Sequence, residues 1–148
     1  MCNMTRFDSR KAIVNYSPEV VYRFVSDMRN FRRFIPLDTF SDIDFRENSC
    51  SFKVNPVGPV SIRLKEKNMF SRIVFSGNAI MQNDFDMILS LQESPGNNSE
   101  IKLSFEAEMN PLLQMAASEP LNKFLDTLVN EMEKFRGWND INEDTQPL

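Results

Sequence analysis

The stretch Ser17-Pro-Glu-Val-Val-Tyr-Arg-Phe-Val-Ser-Asp-Met-Arg-Asn-Phe-Arg-Arg-Phe-Ile-Pro36 carries four aromatic residues, four arginines and two prolines in twenty positions. Taken alone, it reads either as a basic-aromatic surface for nucleic acid or lipid, or as a fold signature. Local rules favour the signature. Ser17 is a hydroxyl N-cap, Pro18 takes the first helical position, and Glu19 puts an acid in the first turn. Val20, Val21, Phe24, Val25 and Met28 then recur at helical spacing, giving one apolar stripe. A second short helix is predicted over Arg29–Ile35, ended by Pro36, because the residue before a proline avoids helical backbone. Arg29, Arg32 and Arg33 share one face of it. Their functional reading is an anion or transient membrane-headgroup contact. Their plainer reading is a solvated outer face.

The surroundings weigh against nucleic acid. With 17 basic and 21 acidic residues the chain carries a net charge of −4, whereas nucleic-acid affinity comes largely from phosphate neutralisation. At 148 residues the chain is sized for one domain that buries a core without staples. No run of about 18 apolar residues is present to span a membrane. Met1–Phe7 lacks the apolar segment of a secretory signal. Two cysteines, Cys2 and Cys50, cannot build a disulfide framework, so a reduced, cytoplasmic protein is expected. There is no histidine, which removes the commonest general base and metal ligand and with it any histidine-dependent triad. Thirteen phenylalanines and nine methionines point to a soft interior, since Met in particular fills irregular spaces.

Away from the opening stretch, Phe7–Asn15 reads as a strand. After Pro36 the apolar period changes from helical to two. Ile43/Phe45 and Phe52/Val54 are short strand cores, followed by Val60/Ile62/Leu64, Ile73/Phe75/Gly77/Ala79 and Phe85/Met87/Leu89/Leu91. The cleanest alternation is Ile101, Leu103, Phe105, Ala107 and Met109. Asn110-Pro111 repeats the cap-then-proline start and opens a last helix with an apolar face of Leu121, Phe124, Leu125, Leu128, Val129, Met132 and Phe135. Pro120 is expected to kink or restart it, with Ser118 as a new cap, and Gly137 fits its end. Residues 139–148 are polar and acidic and are expected to be a disordered tail after a single domain of residues 1–138.

This order is α+β: a strand, two short helices, a curved antiparallel sheet of about six to seven strands in all, and one long C-terminal helix to cover the apolar face. At this point the chain resembles a known group. Ser17-Pro18-Glu19-Val20-Val21-Tyr22, Asp27, Asn30-Phe31 and Phe34-Ile35-Pro36 are similar to the first helix pair of the START and birch-pollen-allergen superfamily, also called SRPBCC or polyketide-cyclase-like. Within it, this stretch is similar to the quinone-binding and ribosome-associated-toxin branch, although Leu37-Asp38 replaces the aromatic or cysteine often found after the proline. Phe105-Glu-Ala-Glu-Met109-Asn110-Pro111, with Pro120-Leu121, Phe124-Leu125 and Leu128, resembles small uncharacterised bacterial members near the G-subunit group of carbon-monoxide dehydrogenase. The resemblance spans about residues 5–136 and implies a helix-grip fold with a cavity between sheet and last helix.

The cavity lining this implies is Phe24, Phe34, Ile62, Leu64, Phe75, Phe85, Met87, Leu89, Leu103, Phe105, Phe124 and Leu128; each of these is equally at home in a plain core. The expected partner is a hydrophobic small molecule such as a lipid, quinone or polyketide-like compound. No cofactor and no metal are expected. Catalytic candidates are few. Asp42/Asp44, Asp84/Asp86 and Glu106/Glu108 each share a strand face, but in the last two pairs the intervening apolar residues claim the inner side. Glu66 interrupts the apolar face after Val60, Ile62 and Leu64; it reads either as a polar group near a cavity mouth or, more simply, as the place where the strand leaves the core. Three readings follow: a non-enzymatic binder or carrier, a cyclase- or dehydratase-type enzyme using cavity acids, and a cochaperone-like interaction module with a collapsed interior. Oligomeric state is not legible.

Overall fold

A computed structural model describes residues 3–34, 40–54, 58–79 and 83–138. The predicted tail at 139–148 and the Ile35-Pro36 stop lie outside the described residues.

The chain begins with β1 (Asn3–Asp8) and β2 (Ala12–Val14), which pair antiparallel with successive parts of one long strand, β8 (Asn98–Met109). The single strand expected over Phe7–Asn15 therefore starts earlier and is split. Ser9 explains the split. Its N–H donates to the Leu103 carbonyl at 2.8 Å, while its hydroxyl oxygen accepts from the Leu103 N–H at 2.9 Å. A side chain thus replaces a backbone acceptor, and the chain steps outward at Arg10-Lys11 before pairing again.

Helix α1 (Pro18–Val25) starts as the sequence dictates, with Ser17 Oγ accepting from the Val20 N–H. The second short helix is a 3-10 helix, Met28–Arg33, capped by the Asp27 carboxylate on the Arg29 N–H. The remaining strands are β3 (Phe40–Phe45), β4 (Ser49–Val54), β5 (Gly58–Asn68), β6 (Arg72–Ala79) and β7 (Asn83–Ser94). The sheet runs β1-β8-β7-β6-β5-β4-β3, antiparallel throughout, with β2 making an eighth strand beside β8. Register shifts at Ser41/Asp44 and Leu64/Glu66 mark bulges, which bend the strands that carry them. The second bulge accounts for Glu66. Beyond it the side chain leaves the core, accepts from Asn68 and pairs with Arg72 at 3.7 Å.

Helix α2 (Pro111–Lys134) is capped by Asn110 Oδ1, which accepts from the Leu113 N–H at 2.8 Å. It runs uninterrupted through Pro120, so the expected restart at Ser118 does not occur. Pro120 and Ala116 both lie on the exposed side, where the carbonyl deprived of its donor reaches water. The helix ends at Phe135, which turns to extended backbone, two residues before Gly137.

Leu125, Leu128, Val129 and Met132 are buried on α2, which packs across β1, β2 and β8. A polar clamp fixes that docking. Arg10 reaches Glu133 at 2.7 Å and Asn130 at 2.7 Å, and the Ile13 N–H donates to the same carboxylate at 3.0 Å. These contacts, the Arg10 hydrogen bonds first and then the Ile13 N–H, hold the Glu133 carboxyl below its usual range. A depressed carboxylate contributes stability that is present above its unfolded value and lost as pH falls through the folded one. Glu133→Gln should therefore flatten the decline in melting temperature below about pH 4. Because the pair is partly exposed, its cost at neutral pH should stay under about 1 kcal/mol; thermal melts from pH 3 to 7 would show both.

Candidate functional site

The inner face of the sheet and α2 enclose the interior. The α2 backbone stands closest to β1, β2 and β8, and its side chains also reach strands farther along the sheet. Phe40 shows this: it packs on Phe52 of β4 at 4.8 Å between centroids and stacks on Phe124 of α2 at 6.0 Å. At the centre lies a residual space of about 40 Å³ lined by apolar surface alone. It is bordered by Met28 and Phe31 of the 3-10 helix, Phe45, Cys50 and Phe52 of β3 and β4, and Ile62 of β5. Phe75, Met87 and Leu103 of β6, β7 and β8 and Phe124 and Leu128 of α2 complete the border. Phe45, Ile62 and Phe124 are only half-buried, so they mark the side nearest solvent. Burial, helped by the Asp44 charge, pushes the Cys50 thiol up to about 12, so it stays a neutral apolar contact.

Of the residues expected to line a cavity, Ile62, Phe75, Met87, Leu103, Phe124 and Leu128 surround this space. The others lie apart from it. Phe24 and Phe34 belong to an aromatic cluster at one end of the molecule, with Phe135 and Trp138. Phe85 and Phe105 stack at 4.8 Å, and Phe7 leans on Phe105. Leu89 is fully buried core, while Leu64 is half-buried against it. Met28, Phe31, Phe45, Cys50 and Phe52 join the lining without having been expected there. Cys50 shares an inner-face parity with Phe52, and that parity was the available signal.

Trp138 was also missed. It is fully buried, its Nε1–H donates to the Phe135 carbonyl at 3.1 Å, and its ring meets Phe24 at 5.1 Å. Arg33 lies over the rings of Phe24 and Phe135, 5.9 and 5.6 Å from their centroids, while Arg29 is held by Asp27. Two of the three arginines on that face are thus held by local partners.

The acids sit where the alternation put them. Asp84, Asp86, Glu106 and Glu108 lie on the outer side, Asp86 paired with Lys65 and Glu106 with Arg6. Asp42 pairs with Lys53 and Asp44 with Arg46. Among the described residues, no group of acids, cysteines or histidines is placed to hold a metal, and no helix is long and apolar enough to cross a membrane.

Similar folds are found among solved structures. Mll3558 from Rhizobium loti matches with a TM-score of 0.62 at 15% identity, covering 88% of this chain and 99% of that one. XoxI from Bacillus cereus matches with a TM-score of 0.67 at 12% identity, over 88% and 93%. Truncated norcoclaurine synthase from Thalictrum flavum matches with a TM-score of 0.68 at 9% identity, over 91% and 97%. The same enzyme, solved in complex with dopamine and hydroxybenzaldehyde, matches with a TM-score of 0.64 at 9% identity, over 91% and 90%. No family model matches the chain, and comparison with curated proteins finds no match. The chain shares with these structures a helix-grip α+β fold, an antiparallel sheet covered by one long C-terminal helix.

Proposed function

We propose that the protein binds a hydrophobic small molecule, of lipid, quinone or polyketide-like character, between its sheet and α2. The observation that carries this reading is the wholly apolar lining of the residual space between the sheet and α2. The space of about 40 Å³ is far below the roughly 300 Å³ of an ordinary ligand site, so entry requires rearrangement. The lining suits that requirement. Met28 and Met87 change shape at low cost, and Phe45, Ile62 and Phe124 have solvent on one side into which to swing. In norcoclaurine synthase the same fold is seen with dopamine and hydroxybenzaldehyde bound. Among the described residues the lining carries no carboxylate or ammonium group, which favours holding a ligand over acid–base chemistry on it.

One observation favours a second reading. The small interior, together with Leu112 and Met115 each 78% exposed on the first turns of α2, fits an interaction module that works from its outer surface. Methyl resonances of methionine distinguish the two. On titration with a medium-chain fatty acid or a short-tailed quinone, the Met28 and Met87 methyls should shift saturably while those of Met4, Met69 and Met115 stay in place. Shifts confined to Met115 would count against the interior site and for the surface.

A further inference from the structure

The larger space is on the other face of the sheet. There the outward side chains of β3–β6 and the start of β7, with Cys50, Ile62 and Gly77 between them, line a solvent-facing groove of about 410 Å³, within the range of small-molecule sites. Its floor is two rows of residues in cross-strand register. One row runs Asp44, Ser51, Ser61, Asn78 and Asp84 from β3 to β7. The other runs Ser49, Arg63 and Ser76 from β4 to β6. Directly facing residues stand about 5 Å apart at Cβ, so the Arg63 side chain rises between two hydroxyls.

The charges around the groove are already committed, and Arg63 is not. Arg46 pairs with Asp44 at 3.3 Å, Lys65 with Asp86 at 3.3 Å, and Asn78 donates to Asp84 at 2.9 Å. Among the described residues, the Arg63 guanidinium makes no ion pair or hydrogen bond, and neither do the hydroxyls of Ser49, Ser51, Ser61 and Ser76. A guanidinium offers a planar fork that fits carboxylate or phosphate oxygens in pairs. The flanking hydroxyls can donate to the same oxygens. Asp44 and Asp84, at the ends of the first row, would repel a second anion and accept hydrogen bonds from hydroxyl groups.

We propose that this outer groove is a binding site for a small hydroxylated organic anion, its carboxylate or phosphate seated on Arg63 between Ser49 and Ser76 and its hydroxyls directed towards Asp44 or Asp84. The two spaces share only Cys50 and Ile62 in their linings, so shifts at Arg63, Ser76, Asn78 and Asp84 report on the groove independently of the interior.

Backbone amide NMR titrations test it with glycerol phosphate and gluconate as the two anion sources, and glycerol as the neutral control. Saturable shifts are expected at residues 44–51, 61–63, 76–78 and 84 with at least one of the two anions, and none with glycerol. Comparing the two anions separates phosphate from carboxylate. Arg63→Gln, on an exposed side chain, should leave the amide spectrum folded and weaken binding about tenfold or more, as loss of a charge-assisted pair implies. Arg32→Gln, an exposed arginine outside the groove, should bind as the parent does. The proposal is overturned if neither anion produces saturable groove shifts, if Arg63→Gln binds equally well, or if the shifts map to the 3-10 helix instead.

Discussion

Replacing Trp138 with alanine should cost about 3–5 kcal/mol of folding stability, the range for deleting a large aromatic from a core. For a domain of this size that lowers the melting temperature by on the order of 10 °C or more. The residue lies beyond the end of α2, at the last position before the expected polar tail, where the sequence reading gives it no role, yet its ring is fully buried. It packs against Phe24 of α1, Phe34 after the 3-10 helix and Phe135 at the helix end, at 5.1, 5.5 and 5.2 Å. Those contacts tie the C-terminal end of α2 to the opening helices. Trp138→Phe keeps an aromatic ring but loses the indole N–H bond to the Phe135 carbonyl, so it should fall between parent and alanine. Melts followed by circular dichroism measure both. A loss below about 1 kcal/mol for the alanine variant, typical of a surface change, would show that the cluster does not anchor the helix.

Gly77→Val should be the second severe change, for the opposite reason. On the inner face of β6, Gly77 faces Phe85 of β7 in register, and the Phe85 ring lies over the glycine. A Cβ there would run into Phe85 Cζ and meet Cε1 at 2.7 Å. The ring cannot withdraw freely, because it is buried and stacked on Phe105. Overpacking of this kind costs about 1–3 kcal/mol. The cause is specific, so the remedy should be too. In the Phe85→Leu background the valine should cost clearly less, giving a coupling between the two positions that chemical denaturation can measure. Additive losses would place the strain elsewhere.

These residues also show how far the sequence could be read. The alternation from Ile101 to Met109, the Ser17-Pro18-Glu19 cap and the Asn110-Pro111 start are local signals, and local geometry carries them into the fold intact. The break between β1 and β2 was hidden because it depends on Ser9 meeting Leu103 across nearly the whole chain. Pro120 misled because its exposed position lets water serve the freed carbonyl. The inner face of the sheet was legible by parity, so Ile62, Phe75, Met87 and Leu103 were placed together from sequence. Which inward residues would border the residual space was not legible. That depends on where α2 crosses the sheet, and the crossing is set by Arg10, Glu133 and the aromatic cluster. Phe24 and Phe34 illustrate this, drawn away from the interior space by Phe135 and Trp138. The outer groove was equally hidden, since it arises from cross-strand register between residues that look like ordinary solvated positions.

If the interior opens to hold one hydrophobic molecule, the protein should carry such a molecule out of the cell. Native mass spectrometry of the protein purified without detergent looks for it. A second charge-state series is expected, heavier by a single small molecule that collisional activation releases and organic extraction recovers. Only the bare chain mass, with no lipid, quinone or aromatic compound from a broad panel raising the melting temperature, would contradict an interior site.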